Sequence, residues 1–255
     1  WLATHPGEEE RIEAVRARVA ALPAPPDTSR RGTEAFLGHI DRMVFGENPR
    51  NGFFRETRFY HPDMRFQLDF PTGWKTQNLS QAVIASSPRE DAVLQLTLAK
   101  QGGAEASAQN FLSQQGIQPV QTRRETVQGN PAVVSLFQAQ TQQGVIEGIA
   151  SWIDYGGRTY QILGYTPRGG YRTYGGVLQR TIESFRTLTD PQFLNVQPAR
   201  VQVVRLDRAM TLDEFNRRYP STISIEELAI INQVEGPGTR LPAGSQVKRI
   251  ATGTG

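Results

Sequence analysis

The sequence predicts an α+β protein in which helices pack on an antiparallel sheet. Apolar and polar residues alternate with a period of two through most of residues 58–165, a pattern typical of half-buried strands. Short turns such as Gly129-Asn130-Pro131 and Gly156-Gly157 separate these segments, whereas parallel strands need long crossovers. Helical patterns at 105–115 and 175–188 interrupt and close the run. This order of elements favours helices packed on one antiparallel sheet.

Residues 1–60 are predicted to form a helical tether rather than a domain. The segment 7–21 has acidic residues in its first turn and an apolar stripe at helical spacing, formed by Ile12, Val15 and Val19 with Leu22. Prolines from residue 23 onward end this helix, because proline cannot continue one. A second short helix is expected at 33–40. Residues 43–54, rich in Gly, Asn and Pro, are expected to be irregular.

The middle of the chain, residues 61–190, is predicted to be one domain. A first helix is expected at 105–115, with Gly116 just after its end. A second is expected at 175–188, with Val177, Leu178, Ile182 and Phe185 facing the sheet. The predicted strands are 66–70, 81–86, 92–99, 120–127, 132–139, 145–155 and 158–165.

This middle domain resembles a known family. The phrase Phe70-Pro71-Thr72-Gly73-Trp74 follows the first predicted strand, and three strands, a helix, four strands and a helix follow one another in order. Both features are similar to the PsbP/Mog1-like sandwich, over roughly residues 60–188. The resemblance implies an antiparallel sheet covered by helices.

Residues 198–251 are predicted to form a small strand-helix-helix-strand module. Strands are expected at 200–206 and 246–250, and helices at 211–219 and 224–232. Thr211 and Ser224 each precede an acidic first turn, which indicates helix N-caps. A linker with two prolines, residues 189–198, precedes the module.

Three short motifs of this module resemble the LysM family. They are Met210-Thr211-Leu212, the pair Ile231-Asn232, and Leu241-Pro242-Ala243-Gly244. The resemblance implies glycan binding, with Asn232 and Gly244 as the expected ligand-binding residues. The family's usual Gly-Asp before the Thr-Leu pair is replaced here by Arg208-Ala209-Met210.

The start of the chain resembles part of a peptidase. Thr4-His5-Pro6 followed by Arg11-Ile12 resembles the closing segment of the catalytic domain in HtpX-like zinc metalloendopeptidases, the class of the CAAX prenyl proteases. The string from Met43 to Pro62 is also similar to the segment after the catalytic domain in bacterial secreted members. The resemblance implies that His5 and Arg11 lie close to the zinc in an intact parent enzyme.

The chain itself lacks the zinc-binding motif of these enzymes. They hold zinc on an H-E-x-x-H helix, in which two histidines bind the metal and the glutamate activates water. This sequence has three histidines, His5, His39 and His61, and none belongs to such a motif. We therefore expect no metal ligand and no catalytic residue in this chain. Zinc is expected in the intact parent only.

Composition excludes several other classes of function. The net charge of +3 comes from 28 basic and 25 acidic residues that are largely interleaved, so the basic face of a nucleic-acid-binding protein is not expected. Without cysteine, disulfides and thiolate nucleophiles are excluded. Neither G-x-S-x-G nor a phosphate-binding glycine loop occurs, and no run of about 18 apolar residues predicts a transmembrane helix.

Three further sites each have two interpretations. His61 could form an acid/base couple with Asp63, or it could be a structural histidine at the start of a strand. The glycines at 169–170 and 175–176 could hold an anion before a helix, or they could form a plain loop. His39 lies in the tether and indicates no mechanism.

These features predict a binding role. We expect a non-catalytic C-terminal accessory region of a periplasmic or cell-envelope zinc metalloendopeptidase engaged in protein quality control. It would bind peptide or protein substrates, or regulate the enzyme. The alternatives are a protein that binds peptidoglycan or another envelope component, and a structural scaffold.

Overall fold

The protein is described by a computed structural model over residues 8–21, 33–100 and 102–253. Contacts divide these residues into two compact units. The sheet unit comprises Val44–Arg200 and residues 250–253, and the helical unit comprises residues 8–21, 33–43 and Val201–Arg249. The predicted α+β class is confirmed, since both helices and antiparallel strands are present.

Helices and strands are numbered here in chain order. The helices are α1 (Glu8–Ala21), α2 (Thr33–Ile40), α3 (Ala104–Leu112), α4 (Tyr171–Glu183), α5 (Pro191–Leu194), α6 (Leu212–Arg218) and α7 (Ile225–Asn232). The strands are β1 (Phe53–Arg55), β2 (Arg58–His61), β3 (Phe66–Asp69), β4 (Lys75–Asn78), β5 (Val83–Ser86), β6 (Val93–Leu98), β7 (Ile117–Val127), β8 (Asn130–Thr141), β9 (Gly144–Tyr155), β10 (Arg158–Pro167), β11 (Arg186–Thr187), β12 (Ala199–Arg205), β13 (Met210–Thr211), β14 (Arg240–Leu241) and β15 (Gln246–Thr252).

Two antiparallel sheets form the sheet unit. The larger has seven strands in the order β4-β5-β6-β10-β9-β8-β7, and the smaller has four in the order β1-β2-β3-β11. Successive hairpins join β7 to β8, β8 to β9 and β9 to β10, as the turns in the sequence predicted. A one-turn 3-10 helix, Pro49–Asn51, precedes β1.

Each face of the large sheet has its own core, because side chains alternate along a strand. On β9, Ile149 and Ile153 belong to the core that contains Leu178 and Ile182 of α4. Trp152, on the opposite face of β9, belongs to the core beneath α3 and is fully buried. The sheet is therefore covered by α4 and the small sheet on one face and by α3 on the other.

The helical unit contains the predicted strand, helix, helix and strand in that order, with the short paired strands β13 and β14 added on either side of the two helices. Strand β12 pairs with β15, and α6 and α7 lie between them in sequence. Its core contains Leu212, Phe215 and Leu228, all fully buried. The N-caps predicted at Thr211 and Ser224 are confirmed, because each hydroxyl accepts a hydrogen bond from a backbone N–H in the first turn.

Both helices of the middle domain differ from the prediction at their ends. Helix α3 ends at Leu112 rather than near 115, and Gly116 is not its capping residue. Gly116 instead lies against the sheet, where its C=O accepts from the N–H of Gln140 at 3.0 Å. The helix predicted at 175–188 begins four residues earlier, at Tyr171, and ends at Glu183. The chain then pairs with β3 as β11, which accounts for the buried Phe185 beyond the helix.

Six short strands in the described ranges were not predicted, namely β1, β2, β4, β11, β13 and β14. Segment 43–54, expected to be irregular, contains the 3-10 helix and the start of β1. Phe59 and Tyr60, which the sequence assigned to the tether, are buried in the sheet unit. Strands of two to four residues are too short for a period of two to be recognised.

The apolar stripe of the first helix is present but exposed. Helix α1 is confirmed at Glu8–Ala21, and Ile12, Val15 and Val19 are 49%, 60% and 62% exposed, whereas Leu22 lies outside the described residues. The second predicted helix is confirmed at Thr33–Ile40. It belongs to the helical unit, where the Asp41 carboxylate that follows it accepts from the Val203 N–H at 2.9 Å.

Candidate functional site

The residues expected near zinc in a parent enzyme do not form a site in the described part of the chain. His5 lies outside the described residues. Arg11 is exposed on α1, and His39 is exposed in the last turn of α2. Over the described ranges, no three His, Cys, Asp or Glu side chains are grouped so that they could hold a metal ion. The expected roles of His5 and Arg11 concern the intact parent and stay predictions.

His61 and Asp63 do not form the couple considered from the sequence. The carboxylate of Asp63 accepts from the guanidinium of Arg50, with Nε at 2.8 Å from Oδ1. Nδ1 of His61 accepts from the backbone N–H of Met64 at 3.2 Å. Burial is the main influence on the imidazole and lowers the pKa of His61 from 6.5. The structural interpretation of His61 therefore describes its contacts better.

The glycine-rich segment before α4 is already bound by a carboxylate of the chain itself. The Glu147 carboxylate accepts from the backbone N–H of Gly169 at 2.8 Å and of Tyr171 at 2.9 Å. These N–H groups are the ones that an external anion would need at the start of the helix. Gly175 and Gly176 lie inside α4 rather than in a loop. The proposed anion site is thus an intramolecular cap.

Asn232 holds α7 and β15 together through its amide. Its Nδ2 donates to the C=O of Leu228 at 2.9 Å and of Lys248 at 2.8 Å, and its Oδ1 accepts from the Lys248 N–H at 2.8 Å. Gly244 lies in the turn before β15 with φ +81°, a conformation that favours glycine. Ligand binding at either residue stays a prediction.

The sheet unit contains a cleft of about 830 Å³ that the sequence did not predict. It opens where β5 ends beside β6, and we call it the edge cleft. Leu96–Ala99 form its base. Its first wall lies on the small-sheet side and contains Phe59, His61, Met64, Phe66 and Tyr160.

The second wall of the edge cleft is one face of α3. Ser107, Asn110, Phe111 and Gln114 follow one another at spacings of three, one and three residues, which places them on one side of the helix and just past its end. Phe111 fixes this wall to the core, because its ring lies 5.4 Å from that of Trp152 and 5.5 Å from that of Phe137. This spacing is the one signal in the sequence that could have indicated the wall.

The edge cleft combines aromatic surface with neutral polar groups. Its polar side chains are mostly amides and hydroxyls, such as Asn78, Asn110, Gln114 and Gln161. Burial raises the pKa of Tyr160 to about 12, so its phenol stays protonated at neutral pH. Lys100 is the one lysine or arginine among the described lining residues, which include no carboxylate. Aromatic side chains beside amides and hydroxyls are groups that can bind a ligand with apolar and polar parts.

No protein-family model matches the chain, and no curated protein sequence matches it. Among solved structures, it is similar to cyanobacterial PsbP from Synechocystis sp. PCC 6803, with 15% identity and a TM-score of 0.42 over 51% of this chain and 91% of that one. It is similar to the Saccharomyces cerevisiae Ran-binding protein Mog1p, with 10% identity and a TM-score of 0.38 over 55% and 99%.

A third solved structure is PA94 from Pseudomonas aeruginosa, a putative regulator, with 18% identity and a TM-score of 0.36 over 49% of this chain and 92% of that one. The structural neighbours thus include the PsbP and Mog1 folds that residues 60–188 resemble. At these identities and TM-scores they carry no functional inference. No helix within the described ranges has the length and apolar character needed to cross a membrane.

Proposed function

We propose that this chain is the non-catalytic C-terminal binding region of a cell-envelope zinc metalloendopeptidase, and that its sheet unit holds a polypeptide substrate or partner in the edge cleft. The observation that carries the proposal is the cleft itself. It sets aromatic side chains beside amides and hydroxyls, groups that contact apolar side chains and the polar backbone of a polypeptide. The similarity of residues 4–12 to an HtpX-like catalytic domain supports the enzyme assignment.

In this proposal the chemistry belongs to the parent enzyme. A zinc-bound water would hydrolyse the peptide bond in the catalytic domain, with His5 and Arg11 close to that centre. The edge cleft would raise the local concentration of the substrate near the catalytic domain. A periplasmic location and a role in protein quality control follow from the same resemblance.

Binding can be tested with an unfolded protein as the probe. We expect the purified chain to bind reduced, carboxymethylated α-lactalbumin in a fluorescence anisotropy titration. Asn110→Trp places a bulky ring on the exposed side of α3 that faces the cleft, and should weaken binding at least tenfold. Gln109→Trp is the matched control, because Gln109 is also exposed on α3 but lines a groove beside β7 instead. Equal affinity of the two variants contradicts binding in the cleft.

The absence of chemistry in the isolated chain is tested separately. We expect no peptidase activity that depends on a metal, and much less than one zinc per chain by elemental analysis. One tightly bound zinc per chain contradicts the assignment of the metal to the parent's catalytic domain.

A second candidate function is peptidoglycan binding by the helical unit. It is favoured by α6 and α7, which lie in sequence between the paired strands β12 and β15, as in the strand-helix-helix-strand body implied by the LysM resemblance. Sedimentation with purified cell-wall sacculi tests it. Retention at high salt supports glycan binding, whereas release by salt favours a docking role through charge.

A further inference from the structure

Strand β6 extends beyond its neighbour β5 at the edge cleft. The pairing of β5 with β6 ends at Val83 opposite Leu96, whereas β6 continues to Leu98, which lies opposite Tyr160 of β10. Residue 81 would be the next partner on the β5 side, opposite Leu98. The chain turns away there instead, because Leu79 N–H donates to the C=O of Ala82 at 2.8 Å and closes a tight turn.

The backbone of Leu98 points into this gap. Ser87 N–H donates to the C=O of Ala92 at 2.9 Å on the β5 side, and Ala99 N–H donates to the C=O of Thr159 at 2.9 Å on the β10 side. Backbone groups of an antiparallel strand alternate between its two neighbours. The backbone N–H and C=O groups of even-numbered residues in this strand therefore point toward β5. Among the described residues, no backbone group pairs with Leu98 on that side.

The other edges of the large sheet are protected, and this one is not. Strand β7 carries Pro119, a register shift beside it, and the charged pair Arg123 and Arg124. Strand β4 is four residues long and begins with Lys75. Prolines, bulges, charges and short length are the features that discourage pairing with another strand. At Leu98 the unpaired edge instead lies between two walls that can hold side chains.

A strand placed opposite Leu98 would direct its side chains alternately to the two walls. Side chains on the Leu98 side would meet Phe59 and Phe66, and the alternate ones would meet the polar face of α3. A chain antiparallel to β6 would have its N-terminal end near Lys100. Since Lys100 is the one strong cation among the described lining residues, an acidic residue is favoured at that end.

We propose that the edge cleft binds an extended peptide segment with an acidic N-terminal end by strand addition opposite Leu98. This inference rests on the proposed function and specifies its ligand and binding mode. The peptide backbone supplies the hydrogen bonds that β5 does not make. Its alternating side chains supply the selectivity, with apolar residues toward Phe59 and Phe66 and small polar residues toward α3.

The probe is the heptapeptide Gly-Ser-Gly-Ser-Glu-Thr-Val, with fluorescein on its N-terminus and an amide at its C-terminus. Its last residue lies opposite Leu98 when the glutamate lies near Lys100, and the peptide ends there because Leu96 already pairs with Val83 of β5. We expect saturable binding to the chain by fluorescence anisotropy. N-methylation of that last residue removes the donor to the Leu98 C=O and should weaken binding about tenfold, as expected for one lost hydrogen bond. N-methylation of the threonine before it, whose N–H points away from β6, is the control and should leave the affinity nearly unchanged.

A variant of the protein tests the same contact from the other side. Leu98→Pro removes an N–H that the fold does not use and should weaken binding at least tenfold, while Leu98→Ala keeps the N–H and should change it less than threefold. Lys100→Glu should weaken binding of the heptapeptide. The same substitution should change little the affinity for a peptide whose glutamate is replaced by glutamine. Should Leu98→Pro fail to fold, the two methylated peptides decide the question.

The outcomes separate this inference from the proposed function. Peptide binding that is equally insensitive to Leu98→Pro and to both methylations contradicts strand addition but leaves binding in the cleft. A chain that binds carboxymethylated α-lactalbumin but not the heptapeptide also contradicts strand addition and leaves binding in the cleft. Binding of neither probe overturns both proposals. The chain could instead form a dimer whose amount rises with concentration. If the heptapeptide does not displace this dimer and Leu98→Pro abolishes it, a second copy of the chain occupies the cleft and the peptide assignment is contradicted.

Discussion

The two units start their helices in different ways. In the helical unit, α6 and α7 each begin with a capping box from neighbouring residues, Thr211 with Glu214 and Ser224 with Glu227. In the sheet unit, α3 and α4 begin after glycines, Gly103 and Gly170, that have no side chain to cap with. Their acceptors come from β9, where Asp154 accepts from Ala104 N–H at 3.0 Å and Glu147 accepts from the start of α4.

The difference shows how one strand can position two helices. Side chains alternate between the two faces of a strand, and residues 147 and 154 are an odd number of positions apart, so their side chains project from opposite faces of β9. Glu147 therefore serves α4 on one face, and Asp154 serves α3 on the other. The start of each helix depends on the sheet in this unit, whereas in the helical unit it depends on the adjacent sequence.

The largest effect is expected at Glu147. Glu147→Ala leaves the N–H groups of Gly169 and Tyr171 without their carboxylate and should lower the free energy of unfolding by about 2–3 kcal/mol. Urea titration followed by amide resonances of the sheet unit measures this loss. Glu147→Gln keeps one acceptor oxygen and should lose about half as much. A loss confined to resonances of the helical unit would contradict the role of Glu147.

A smaller loss is expected at Asp154. Asp154→Ala removes the acceptor of Ala104 N–H and of the Thr159 hydroxyl, which lies 2.6 Å from Oδ1, and should cost about 1–2 kcal/mol. Hydrogen exchange of the first turn of α3 should accelerate, while α4 stays protected. Similar acceleration in both helices would show that Asp154 acts on the whole sheet rather than on one cap.

Local caps should have local effects of about 1 kcal/mol. Thr211→Ala and Ser224→Ala each remove an N-cap hydroxyl in the helical unit. Resonances of α6 and α7 should report the destabilisation in a urea titration. Glu226→Gln is the control, because Glu226 lies in the first turn of α7 but takes no part in its capping box. A change larger than that at Glu147 would reverse the comparison between the units.

Acid should affect the two units in different pH ranges. Burial lowers the pKa of folded His61 below 6.5, so its contribution to stability is present above that pH and is lost as pH falls toward the folded pKa. The Thr211 N–H lowers the pKa of Glu214 below 4.5, so the stability it contributes is lost as pH falls through the lower, folded value. Denaturant titrations at several pH values, repeated with His61→Gln and Glu214→Gln, measure both. A loss of stability that begins near pH 6.5 and is unchanged in His61→Gln contradicts the first assignment, because the Glu214 contribution is lost only below pH 4.5.

The sequence was most informative where structure is local. It predicted α2, the capping residues of α6 and α7, and the hairpins from β7 to β10, because turn residues and long alternation are visible without knowing the fold. It missed β1, β2 and β4, whose residues are too few to show a period and are ordered by pairing with distant segments. It also placed the start of α4 at the glycines, since Glu147 is distant in sequence and indicates no cap until β9 is in place.

The candidate site depended almost entirely on tertiary structure. The sequence pointed to His5, Arg11, Asn232, Gly244 and the His61–Asp63 pair; among the described ones, His61 alone lines the cleft, which arises from segments near residues 59, 80, 98 and 110. Only the spacing along α3 was visible beforehand. The composition and turn pattern by themselves determined an antiparallel α+β protein without cysteine chemistry. Whether a backbone group is paired is decided by where neighbouring strands end, so the unpaired Leu98 edge could be seen only in the folded sheet.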